Sequence, residues 1–111
     1  MLRSMMQVYV KGSKDAVPFY KKAFGATISN IHKNEDGSYM HAELNIFGQI
    51  LALSESLNES SISGNTMQFC LHFTESESNI IKNAYEVLSD NAQIQLFSSA
   101  RQFMLFLQDV L

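Results

Sequence analysis

One short stretch limits what this chain can fold into more than any other: Asp15-Ala-Val-Pro-Phe-Tyr-Lys-Lys-Ala-Phe-Gly-Ala26, set between two strand-like segments. Ala16, Phe19, Tyr20 and Ala23 recur at helical spacing, so the stretch has one apolar face. Lys14, Lys21 and Lys22 fall on other faces. Asp15 is placed to cap the start, which puts Pro18 in the first turn, where a missing N–H costs little. Gly25 can take the left-handed conformation that ends a helix. The pattern predicts a helix over 15–24.

Strand signals surround it. Residues 6–10 are rich in β-formers, and 26–33 form a second strand. Asn34 to Gly37 is a turn, with Asp36-Gly37 a strong hairpin signal. Residues 38–46 alternate as a third strand, Phe47-Gly48 turns the chain, and 49–55 make a fourth. The order is β-α-β-β-β. A small, polar connection follows, and the pattern restarts. Residues 66–73 read as a strand. Thr74 and Glu77 have capping-box spacing, opening a helix that runs to about Leu88. Residues 92–97 and 103–108 are further strands. Gln7 and Gln68 each open a strand, and Tyr20 and Tyr85 each sit on the helix that follows. This echo is what two similar units would leave. An ordinary α+β domain with a chance echo is the plainer alternative.

Composition narrows the function classes. The 111 residues suit one domain or one subunit, and a 46% hydrophobic content supplies a core. So short a chain leaves much surface exposed, which pairing with a second copy would relieve. The net charge is −3, and Lys21-Lys22 is the only notable basic pair, so a nucleic-acid partner is not expected. Cys70 is the only cysteine, which suits a reducing cytoplasm. No run approaches the ~20 apolar residues that cross a bilayer, and no signal peptide follows Arg3. The reading is a soluble cytoplasmic protein without a membrane partner. Phe103 to Leu107 is too short to span and reads as a core or interface strand.

Tyr9-Val-Lys-Gly-Ser13, Ala16, Phe19-Tyr20, Phe24-Gly25-Ala26, Asp36-Gly37, Met40-His41-Ala42, Gly48 and Leu51-Ala-Leu-Ser-Glu55 together carry a resemblance. The chain resembles the vicinal-oxygen-chelate superfamily, the glyoxalase/bleomycin-resistance fold, and within it the PhnB-like branch. The match runs from about residue 6 to 73 and is weaker beyond. It implies an α+β domain over 1–111, with two βαβββ modules forming a cupped mixed sheet. Module one would span about 1–56, a loop 57–65, and module two about 66–111. It also implies a homodimer. The second module is expected to lack its last strand, since Asp109-Val-Leu111 resembles the start of the family's final turn. The family hosts many reactions, so the resemblance specifies the fold better than the function.

The resemblance also implies a metal site that begins near the start of each module's first strand. Those positions fall at about Met5 and Thr66, both poor ligands for hard or borderline metals. No cofactor is therefore expected, and a divalent metal is disfavoured. Strand parity then sorts the side chains. With Val8 and Val10 packed on the first helix, Gln7 and Tyr9 face the cup. With Phe69 and Leu71 packed on the second, Gln68, Cys70 and His72 face it. The Phe47-Gly48 turn pairs 46 with 49, 44 with 51, 42 with 53 and 40 with 55. Met40, Ala42, Leu44, Leu51, Leu53 and Glu55 therefore share one face, assigned to the cup. His41 and Glu43 fall on the other, beside Ser54 and Ala52.

The expected pocket is mostly apolar, with Gln7, Tyr9, Glu55, Gln68 and His72 as substrate-binding residues. Desolvation against Leu53 and Met40 would raise the Glu55 pKa and make it a base, unless it is a solvated strand-end charge. His72 is a base, a lone ligand or a locally hydrogen-bonded histidine. The resemblance singles out His41, but its face argues for a structural role. His32 reads as exposed, Cys70 as a small buried hydrophobe, and Met40, Met67 and Met104 as fillers. The first reading is a metal-free protein that binds an unknown small molecule. The alternatives are a metal-dependent enzyme of glyoxalase or dioxygenase type and a structural dimerisation module.

Overall fold

The β-forming run Met6–Val10 is strand β1, and the chain turns at once into helix α1, Ser13–Phe24. The computed structural model describes residues 1–57 and 70–88 and the backbone of Gln93–Ser98 and Gln102–Gln108. Helix α1 starts three residues earlier than Asp15 as its cap would allow. Gly12 holds the N-cap position with φ 77°, and Asp15 lies in the first turn. Pro18 therefore falls past the first turn, and the Lys14 carbonyl lacks the N–H that an ordinary residue would supply. Burial of Ala16, Val17, Tyr20, Ala23 and Phe24 offsets that loss. Tyr20 lies edge-on to Phe19 and stacks on Phe24, and burial pushes its phenol pKa upward.

Gly25 ends α1 at φ 60°, and the next amide, Ala26, donates to the Lys21 carbonyl at 3.0 Å. A Cβ at Gly25 would meet no other group, so its only cost is backbone strain. Gly25→Ala is therefore expected to lower stability by about 1 kcal/mol, measured by urea denaturation.

Three strands complete the first unit: β2 (Thr27–Lys33), β3 (Tyr39–Ile46) and β4 (Gln49–Glu55). The β3–β4 turn places Phe47 at φ 52° and Gly48 at φ 92°, the twist a two-residue hairpin favours. Its register pairs Ile46 with Gln49, Leu44 with Leu51 and Ala42 with Leu53, as the alternation predicted. The sheet order is β1-β4-β3-β2, with β1 parallel to β4 and the other pairs antiparallel. Helix α1 packs across β3 and β4. The apolar side chains of that face, Val10, Ala42, Leu44, Ile46, Leu51 and Leu53, are all buried.

The chain divides into two compact units, Met1–Ser61 and Ile62–Leu111. In the second, β5 (Leu71–Thr74) leads through a 3-10 turn, Glu75–Glu77, into α2 (Ser78–Leu88). Thr74 and Glu77 form the capping box that their spacing predicted. Strands β6 (Gln93–Ser98) and β7 (Gln102–Gln108) follow, and the sheet order is β5-β7-β6. Here the neighbour of β5 runs antiparallel to it, whereas the neighbour of β1 runs parallel. Ile81, Ala84 and Leu88 form the buried stripe of α2. The tyrosine echo ends there, because Tyr20 is buried and Tyr85 is exposed. Among the described residues, no helix is long and apolar enough to cross a membrane.

Candidate functional site

The parallel register of β1 and β4 decides which side chains share a face in the first unit. Gln7 pairs with Ala52 and Tyr9 with Ser54, while Val8 pairs with Leu53 and Val10 with Glu55. Paired residues point the same way, so Glu55 belongs with Val10 on the α1 side. The expectation that Glu55 lies in one cup with Gln7 and Tyr9 is corrected by this register. The parity assigned to β1, β3 and β4 is right, but the hairpin face given to the cup is the face that α1 covers. Met40, expected as a filler there, is exposed instead.

Glu55 is the anion at the start of α1. One carboxylate oxygen accepts the Ser13 N–H at 2.8 Å and the Ser13 hydroxyl at 2.7 Å, and the other accepts the Gly12 N–H at 3.0 Å. Ser13 Oγ in turn accepts the Tyr39 N–H, which ties the helix start to β3. The Ser13 N–H, more than any other group, holds the Glu55 pKa below the ordinary carboxylate value, against an opposing effect of burial. The raised pKa expected from desolvation is thereby reversed, and Glu55 is not a poised base.

The face turned away from α1 carries a different cluster. Glu43 stands near its centre with only 2% of its side chain exposed. Arg3, from the segment before β1, engages both of its oxygens as a fork, with Nη2 3.0 Å from Oε2. His41 Nε2 lies 2.9 Å from Oε2, and Asn30 Nδ2 donates to Oε1 at 3.3 Å. Asn30 reaches this point through an irregularity in β2. Ser29 pairs with Glu43 and His32 with His41, so β2 carries an extra residue there, and Asn30 adopts φ 48°. Asparagine tolerates that conformation better than most residues, and bulges of this kind re-aim side chains. The Arg3 hydrogen bonds, then those from His41, bring the Glu43 pKa down to about 2.

Gln7 and Tyr9 share this face. Gln7 Nε2 donates to Ser54 Oγ at 2.7 Å, and Tyr9 is exposed. Ser54 is buried and opposes Tyr9 across β1 and β4. His72 lies in the second unit, exposed on β5 and in register with Met104. Gln68, Thr66, Met67 and Phe69 lie outside the described residues. Cys70 is exposed rather than buried, because β5 begins at Leu71 and strand parity does not extend to it. His32 is exposed, as its sequence neighbours suggested.

The sequence reading missed Arg3, Asn30, Glu43 and Ser54. A glutamate two residues from a histidine in an alternating strand was the available signal for Glu43. Nothing local announced Arg3, which is forty residues away in sequence.

Both Glu43 oxygens are engaged by protein donors, and Met5, which the resemblance places at the first-ligand position, offers only a thioether. Among the described residues, no three His, Cys, Asp or Glu side chains gather as a metal site.

No protein-family model matches the chain, and no curated protein does. A solved structure, TioX from Micromonospora sp. ML1, is similar in fold, with a TM-score of 0.52. The match covers 93% of this chain and 89% of that one, at 17% sequence identity. The chain is thus structurally related to TioX, and at this identity the relation concerns the fold alone.

Proposed function

We propose that this chain is a small-molecule-binding protein of the glyoxalase/bleomycin-resistance fold, in its PhnB-like branch, that acts without a resident metal. The observation that carries this reading is the polar set on the sheet face away from α1. It comprises the Glu43 carboxylate with its three partners, the Gln7–Ser54 pair and the exposed Tyr9 ring. Small-ligand sites combine apolar and aromatic side chains with a few placed polar groups, and this face offers the Tyr9 ring beside such groups. The likeness to TioX supports the fold in this reading. Duplicated modules, a homodimer and a cytoplasmic location belong to the same proposal.

The test is a fragment screen on isotopically labelled protein, followed by amide shifts. A binding fragment is expected to move Gln7, Tyr9, Ser54 and Glu43, with EDTA leaving its affinity unchanged. Hits confined to the exposed surface of α1, or affinity abolished by EDTA, would overturn the reading. The same spectra read His72, proposed separately as a binding residue of the second unit. Native mass spectrometry of the same sample reports whether the protein is a dimer.

A further inference from the structure

Glu43 is an unusual carboxylate to find on a sheet. It is almost wholly buried, yet its principal partner comes from a segment with no regular structure. Arg3 itself is half exposed, and its neighbours Met1, Leu2 and Ser4 are exposed as well. The other two partners are built into the sheet. His41 is two residues from Glu43 on β3, and Asn30 is held over it by the β2 irregularity. The framework therefore fixes a carboxylate with two lateral contacts and leaves its main cationic contact to a side chain delivered from outside the sheet.

We propose that Arg3 is an internal occupant of a cation-binding site, and that the site takes a guanidinium or amidinium ligand in its place. This rests on the reading that the face away from α1 is the ligand face, and it names the ligand class. Three points favour a planar, forked cation over a simple ammonium. Arg3 binds as a fork, one nitrogen to each oxygen. Such a fork matches carboxylate geometry in a way a point charge does not. His41 and Asn30 approach one oxygen each, which leaves room on both for a bidentate partner. Beside this site, the Gln7 amide and the Tyr9 ring offer contacts for the rest of a ligand, the ring being suited to a cationic or planar group. Segment 1–5 then acts as a strap whose release exposes the carboxylate.

The probe is methylguanidinium chloride, titrated into the wild type, Arg3→Ala, Arg3→Lys and the double variant Arg3→Ala with Glu43→Gln. Sodium chloride at equal ionic strength is the control. Binding is followed by the amide shifts of Asn30, His41 and Glu43 and by thermal stability. Arg3→Ala is expected to bind methylguanidinium about tenfold more tightly than the wild type, since it lacks the competing internal cation. The probe should restore thermal stability lost on removing Arg3. Arg3→Lys should fall between, and the double variant should show no site-specific shifts. If Arg3→Ala responds no more than the wild type, or if the double variant responds equally, the inference is overturned. Such a failure would leave the ligand face standing if fragments still map to Gln7 and Ser54. Loss of that mapping with a retained methylguanidinium response would do the reverse.

Discussion

Glu55→Ala is expected to cost about 3 kcal/mol of folding stability, read from urea denaturation with an unchanged m-value. The estimate follows from what the carboxylate holds. Ser13 is fully buried, and both its N–H and its hydroxyl donate to Glu55. Removing the acceptor leaves buried donors without partners, each such group costing about 1–3 kcal/mol. The loss of an anion at the start of α1 adds a few tenths to about 1 kcal/mol. Gly12 is exposed, so water can replace its share. Glu55→Gln keeps one acceptor oxygen and should cost about 1 kcal/mol. A local signature accompanies the global one. Without Glu55, the first residues of α1 have no acceptor, and Asp15 becomes the natural cap. Amide and Cα shifts should then show Ser13 and Lys14 leaving the helix. A variant within about 0.5 kcal/mol of wild type, with helical shifts retained at Ser13, would contradict this account.

That retreat to Asp15 shows why the helix start was misread from sequence. Local rules make Asp15 a good cap and put Pro18 comfortably in the first turn. The fold overrides them because a carboxylate at the far end of β4 reaches the amides of Gly12 and Ser13. Local information was enough for β1, β3, β4 and the turns at Gly37 and Gly48, where alternation and turn residues act within a few positions. It was also enough for the Thr74–Glu77 capping box. Long-range pairing was not legible. Strand parity correctly grouped Glu43 with Ser54 and Ala52, and Gln7 with Tyr9. Only the parallel β1–β4 register says that these two groups share one face. An antiparallel hairpin can be counted out from its turn, whereas a parallel pair has no turn to count from. The Asn30 irregularity and the Arg3 fork were invisible for the same reason, since each depends on a partner more than ten residues away.

The acid limb of the stability curve is expected to be governed by Glu43 and Glu55 together. Each has a folded-state pKa below its unfolded value, so each stabilises the fold while ionised. That contribution is fully present above the unfolded carboxylate value and is lost as pH falls through the folded one. For Glu43 the window runs from 4.5 down to about 2. Half-exposed Arg3 is screened by water, so the stability at stake from Glu43 is about 2 kcal/mol, less than the full shift would imply. Unfolding free energy measured at intervals across this window should fall steeply for the wild type. Glu43→Gln should start lower at neutral pH and show a flatter acid limb, because the variant has no proton to take up there. Glu55→Gln should flatten the limb as well, since the Glu55 pKa is also held below its unfolded value. The two carboxylates lie on opposite faces of the sheet and share no partner, so the double variant should combine both effects nearly additively. An acid limb in Glu43→Gln as steep as that of the wild type would mean that the Arg3 fork contributes nothing to folding. The carboxylate would then be held by the sheet alone, with its charge left for whatever cation the face receives.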